Sequence, residues 1–185
     1  MITLDRVSFA YDQTPVVSDL SLTVSPDRVT CLFGASGCGK STVLRLIAGL
    51  ETPQAGTVTR PPDARVTMVF QDNRLLPWLT VRQNLTLVAP DADIDAALSA
   101  VALQDDAERY PDELSGGMQR RVALARAFAH GGDILLLDEP FNGLDQALKE
   151  QIAAYILREF AGKTIVLVTH SPEEAALFDA EIIRV

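Results

Sequence analysis

Val29-Thr30-Cys31-Leu32-Phe33 runs directly into Gly34-Ala35-Ser36-Gly37-Cys38-Gly39-Lys40-Ser41, and Thr42-Val43-Leu44-Arg45-Leu46-Ile47-Ala48 follows. The first stretch reads as a strand and the third as a helix, with a glycine loop between them. Glycines at 34, 37 and 39 let the backbone fold tightly with N–H groups turned inward around a polyphosphate. Lys40 supplies a point charge for the β- and γ-phosphates, and the Ser41 hydroxyl a ligand for magnesium. The helix places its positive N-terminus against the anion. Strand, loop and helix stand in the order that this chemistry needs.

A chain of 185 residues predicts one domain with a substantial core. It is 48% hydrophobic and 22% charged, a globular balance. Twenty-five acidic against sixteen basic residues give a net charge of -9, which argues against the broad basic face that nucleic-acid binding needs. No uninterrupted apolar stretch approaches the roughly 20 residues that cross a bilayer. Met1-Ile2-Thr3-Leu4-Asp5 lacks the basic start and apolar core of a signal peptide. Cys31 and Cys38 form no disulfide framework, and the expected location is the cytoplasm.

The first 33 residues read as strands. Ile2–Leu4 and Val7–Phe9 flank a charged pair, Leu20–Val24 alternates with period two, and Asp12-Gln13-Thr14-Pro15 and Ser25-Pro26-Asp27 are turns. Further strands are expected at Thr57–Thr59 and Arg65–Phe70, the latter ending at Gln71. The segment from Asp72 to about residue 130 reads as a helical insertion, with Asp93 capping a helix from Ile94 to Leu103. Ile134–Leu137 and Thr164–Thr169 are continuous apolar runs, as expected of parallel strands buried on both faces. Gln146–Phe160 is a helix stopped near Gly162. Ser171-Pro172-Glu173-Glu174 starts another, with Glu174 closing a capping box.

Two more chemical signals follow. Asp138, closing the Ile134–Leu137 strand, can hold magnesium directly or through water, and Glu139 beside it can polarise an attacking water. Leu114-Ser115-Gly116-Gly117-Met118-Gln119-Arg120-Arg121 reads as a capped helix start whose two glycines expose N–H groups, a second anion-binding terminus. His130 reads as a cation near a helix C-terminus.

Together these residues resemble the ATPase subunit of ABC (ATP-binding cassette) transporters, in order and over nearly the whole chain. Residues 34–42 (Gly34, Ala35, Ser36, Gly37, Cys38, Gly39, Lys40, Ser41, Thr42) are similar to Walker A, and Gln71 stands at the Q-loop. Leu114–Gln119 resembles the signature motif, Leu135–Pro140 Walker B, Gly143-Leu144-Asp145 the D-loop, and His170 the switch histidine. Tyr11 resembles the adenine-stacking aromatic, although a strand-end tyrosine has the same appearance.

The resemblance implies an α/β fold: a P-loop NTPase core with an N-terminal antiparallel β subdomain and a short α-helical subdomain. Residues 1–185 would form one ABC ATPase domain, 1–71 and 131–185 the core with the β subdomain and 72–130 the helical subdomain. It implies ATP and Mg2+ as cofactors, with Ser41, Gln71 and Asp138 toward the metal. Lys40, Gln71, Glu139 and His170 would act in hydrolysis. Ser115, Gly116, Gly117, Gln119 and Asp145 would reach nucleotide across a head-to-tail homodimer. A transmembrane permease, with a solute-binding protein, would tie the subunit to the inner face of the membrane, and no direct nucleic acid is expected.

Met118 stands where a glutamine is often found, and Asn142 where a serine is more usual. The segment between Gln71 and Ser115 is short for the family. The chain ends fifteen residues after His170, so the usual C-terminal helices and any regulatory domain are expected to be missing. Asp72-Asn73-Arg74-Leu75-Leu76-Pro77-Trp78-Leu79-Thr80-Val81 is similar to importer subunits for nitrate, sulfonates or taurine. There this region would receive a membrane partner; packing of the small subdomain by Trp78 is the other reading. A non-transport ABC ATPase acting on nucleic acid or ribosomes is the alternative. It would carry basic or coiled-coil insertions that this sequence lacks.

Overall fold

The computed structural model describes residues 1–26 and 28–185; Asp27, the end of the expected Ser25-Pro26-Asp27 turn, lies outside them. The described residues form a three-stranded and a five-stranded sheet with six α-helices. In chain order the elements are β1 (Ile2–Tyr11), β2 (Thr14–Val24), β3 (Val29–Phe33), α1 (Lys40–Ala48), β4 (Ala55–Thr59) and β5 (Val66–Val69). There follow α2 (Val81–Thr86), α3 (Ile94–Ala100), α4 (Gly116–His130), β6 (Ile134–Asp138), α5 (Gln146–Glu159), β7 (Thr164–Thr169), α6 (Pro172–Ala176) and β8 (Glu181–Arg184).

Two compact units divide the chain. The first holds Met1–Met68, Gly132–Asp138 and Gly162–Val185, and the second Val69–Gly131 and Glu139–Ala161. In the first, β2-β1-β4 is antiparallel, and β5-β6-β7-β3-β8 has β3, β6, β7 and β8 mutually parallel. The apolar runs of β6 and β7 are buried throughout, as strands covered on both faces must be. Val43, Leu44 and Ile47 of α1 join Leu4 and Val7 of β1, Leu32 of β3 and Leu136 of β6 in one core cluster. Parallel pairing aligns Phe33 with Thr169 and Asp138 with Val168, so three strands end along one carboxyl edge, where open α/β sheets present their ligand sites.

Several expected elements change form. Ile2–Leu4 and Val7–Phe9 belong to one strand, because the Asp5-Arg6 pair is absorbed in a bulge. Arg6 takes φ +49, and its N–H is satisfied by the Ser21 hydroxyl at 2.9 Å, so the ladder resumes. The first turn shrinks to Asp12 and Gln13, since Thr14 and Pro15 already pair with β1. Helix α3 ends at Ala100 rather than Leu103. Ala102 turns left-handed (φ +53) and the Leu103 N–H closes back onto Leu98 O at 3.0 Å, a Schellman stop without glycine. Asp93 does cap that helix, accepting from the Ala96 N–H. The stretch from Asp72 to Thr80 is coil, and short 3₁₀ turns at Gln104–Asp106 and Pro111–Glu113 interrupt the helical insertion.

In the second unit, α2 is only six residues long, and its N-terminus is held by a capping box between Thr80 and Gln83. Buried Asn84 organises the loop before it. Its amide nitrogen donates to Leu76 O (3.1 Å), Leu79 O (3.0 Å) and Thr80 O (3.0 Å), and its oxygen accepts from the Leu76 N–H at 2.8 Å. This frame presents Trp78 at 69% exposure, so its indole does not pack the subdomain interior. Both cysteines are free; burial pushes the Cys31 thiol up to about 11, which keeps it protonated and unreactive at neutral pH. Asn84→Ala should strand the loop's polar groups and cost about 2 kcal/mol or more. A urea midpoint equal to wild type would refute that role for Asn84.

A candidate nucleotide-binding and hydrolysis site

In the first unit, the loop from Gly34 to Gly39 bridges β3 and α1. Gly39 caps the helix at φ +99, and a Cβ there would lie 2.8 Å from Val16 O, so glycine is required twice over. The Val43 N–H reaches Gly39 O at 2.9 Å, leaving the N–H groups of Lys40, Ser41 and Thr42 in the first helical turn, where anions bind. The Lys40 ammonium donates to Gly34 O (2.9 Å) and Ala35 O (2.7 Å) and contacts Cys38 Sγ at 3.6 Å, so the lysine holds the loop closed on itself. Gly37 and Ser36 form the exposed crest of the same loop.

The Ser41 hydroxyl donates to Asp138 Oδ1 at 3.0 Å, joining α1 to the end of β6. Asp138 is 2% exposed. Among the described residues no cluster of three or more His, Cys, Asp or Glu could hold a metal. What the chain offers is this pair of hard oxygens, a donor set that fits a magnesium ion completed by water and phosphate. His170 follows β7 and is exposed. The expected capping box beyond it does not form. The Ser171 hydroxyl does accept from the Glu174 N–H. The Glu174 carboxylate, however, accepts from the Thr169 hydroxyl at 2.5 Å, and the Ser171 N–H bonds that same hydroxyl at 3.1 Å. Burial of Glu174 at the strand end favours the nearby hydroxyl over the cap.

Tyr11 closes β1 with its ring edge-on to Phe9, centroids 4.9 Å apart. Its hydroxyl accepts from Arg45 on α1 at 3.0 Å and donates to Glu51 at 3.3 Å.

In the second unit, Ser115 caps α4 by accepting from the Met118 N–H at 3.3 Å. Gly116 has open space where a Cβ would stand, whereas a Cβ on Gly117 would meet Gly143 O at 2.8 Å. The signature turn thus packs against the turn before α5. Gln119 donates to Pro111 O (2.8 Å) and Leu114 O (3.3 Å), and Asp145 caps α5 through the Leu148 N–H at 3.0 Å. The side chains of Gln119 and Asp145 therefore brace the two helix starts.

Arg120 plays a part that no local sequence pattern announces. It is 3% exposed on α4, and its guanidinium donates to Phe70 O, Gln71 O (3.3 Å), Glu139 O (2.6 Å) and Pro140 O (3.0 Å), with Asn73 Oδ1 at 3.4 Å. One side chain thereby fixes the backbone at Gln71 and at Glu139. Glu139 adopts φ +46, a conformation that non-glycine residues hold only when their surroundings impose it. Its carboxylate accepts from the Asn142 amide at 2.8 Å. The only sequence signal for these roles was an arginine beside the signature and an asparagine in place of serine.

Residues 17–142 match the family described as ABC transporter. The chain is 44% identical, over 94% of its length and 71% of the other, to the aliphatic sulfonates import ATP-binding protein of Agrobacterium fabrum. It is 41% identical, over 94% of its length and 76% of the other, to the thiamine import ATP-binding protein of Mesorhizobium japonicum. With the taurine import ATP-binding protein of Roseobacter denitrificans the identity is 39%, over 93% of this chain and 70% of that one. Among solved structures, a dimeric ATP-binding cassette in a post-hydrolysis state bound to ADP and Pi superposes with a TM-score of 0.86 at 29% identity, covering 100% of this chain and 94% of that one. On these matches, with the phosphate loop, the Ser41–Asp138 pair and the signature helix in place, the chain belongs to the ABC transporter family.

Proposed function

We propose that this chain is the ATP-binding and ATP-hydrolysing subunit of an importer for a small solute. The observation that carries this reading is the presence of two phosphate-directed helix termini in one chain, α1 behind Gly39 and α4 behind Ser115. A single nucleotide needs one phosphate loop, so the second terminus is read as serving the nucleotide of a partner copy. Two chains pair head to tail, each contributing Lys40 to one ATP and Ser115, Gly116 and Gly117 to the other.

In this reading the loop N–H groups and Lys40 take the phosphates, and Lys40 exchanges its two carbonyl partners for phosphate oxygens. Ser41 and Asp138, with Gln71, hold magnesium, which when bound neutralises charge on the phosphate oxygens. Glu139 accepts a proton from and orients the attacking water, while His170 stabilises charge on the transferring phosphoryl group. Tyr11 stacks on the adenine. Residues 1–71 and 131–185 act as the nucleotide-binding core and 72–130 as the helical subdomain of one ATPase domain.

The importer assignment draws on the relatives, whose names specify import of taurine, sulfonates and thiamine. It also draws on exposed Trp78, whose indole offers an apolar contact for a membrane permease. In this reading attachment at the inner face of the membrane runs through that permease, with a solute-binding protein outside; no helix among the described residues is long and apolar enough to cross a membrane.

Glu139→Gln should lower steady ATP hydrolysis by about 100-fold or more, retain ATP binding and yield a stable ATP-bound dimer by size-exclusion chromatography. Near-normal turnover would remove Glu139 from the role of base. Ser115→Arg should abolish hydrolysis yet leave nucleotide affinity of the isolated monomer unchanged, measured by fluorescent-nucleotide titration. Unchanged hydrolysis in that variant would contradict the shared site.

A further inference from the structure

We propose that Asn142 is a positioning residue for Glu139, holding its carboxylate through an amide N–H so that the base points one way. The proposal rests on the reading of Glu139 as the group that orients water. Glu139 is constrained at both ends. Its carbonyl is held by Arg120 at 2.6 Å, and the next carbonyl, of Pro140, by the same guanidinium at 3.0 Å. Phe141 then anchors the chain in the interior with no exposed surface. The Leu144 N–H closes a turn onto Phe141 O at 3.1 Å, with Gly143 at φ +76. This turn carries Asn142 back over Glu139, where its amide nitrogen lies 2.8 Å from Oε2.

The chemistry of the pair is directional. An ionised carboxylate only accepts, so the amide must present its NH₂ edge. A glutamate otherwise samples several rotamers, and each one that turns from the water lowers the fraction of enzyme ready to react. A donor at the side chain's tip, added to the strained and pinned backbone, selects one. Asn142 is solvent-exposed, so replacing it leaves the core intact and isolates this effect from folding.

The test measures kcat, KM for ATP and affinity for a non-hydrolysable ATP analogue in the full chain. The variants are Asn142→Ala, Asn142→Asp and Asn142→Ser, beside Glu139→Gln. Asn142→Ala should lower kcat by about 10-fold or more, with KM and analogue affinity unchanged. Asn142→Asp, the same shape without the donor and facing a like charge, should fall at least as far. Asn142→Ser, which restores a shorter donor, should recover part of the loss. Wild-type kcat in Asn142→Asp would mean that shape alone matters and overturns the proposal. Full turnover by Asn142→Ala beside an inactive Glu139→Gln overturns the proposal alone. Normal turnover by Glu139→Gln removes the underlying reading and the proposal with it.

Discussion

A buried guanidinium is costly unless its N–H groups find acceptors, and Arg120 directs all three of its nitrogens at main-chain carbonyls, those of Phe70, Gln71, Glu139 and Pro140. The planar fork of arginine suits several acceptors at fixed angles, which a lysine could not serve. Those four carbonyls belong to segments about seventy residues apart in the chain, one containing Gln71 and the other Glu139. A positional change in either segment would break its bonds to Arg120, the group that both share. The strained φ of Glu139 is therefore sustained by a polar knot on α4, the helix whose N-terminus carries Ser115-Gly116-Gly117.

The phosphate loop depends on a different balance. Lys40 satisfies its charge on Gly34 O and Ala35 O, and the Ser41 hydroxyl rests on Asp138. Under the proposed function, Lys40 already has oxygen acceptors of the kind that phosphate would supply, so taking up nucleotide would exchange its hydrogen bonds rather than bury a bare charge. Parallel pairing of β6, β7 and β3 sets Asp138, Thr169 and the loop at one sheet edge, which makes that exchange local.

The parts legible in the sequence are those whose cause is local. A glycine loop between a strand and a helix, two doubly buried strands, and the caps Asp93, Ser115 and Ser171 all follow from neighbours within four residues. Elements shaped by distant partners were not legible. The bulge at Arg6 needs Ser21 and the loop at Leu76–Thr80 needs Asn84, while the early stop of α3 is local but sets an alanine in a left-handed turn that its residue type does not announce. Glu174 had the spacing of a capping box, yet its carboxylate went to Thr169, a strand residue. Nothing within Gln119-Arg120-Arg121 says which arginine is buried. Arg120 turns toward Gln71 and Glu139, while Arg121 donates to Val101 O and Ala102 O at the end of α3.

Arg120 holds the segments bearing Gln71 and Glu139 in one arrangement. Urea unfolding of Arg120→Met against wild type tests it most directly, because methionine keeps the bulk and removes the donors. A loss of at least about 3 kcal/mol is expected, because several buried carbonyls lose their partner. An unfolding midpoint and slope equal to wild type would contradict it.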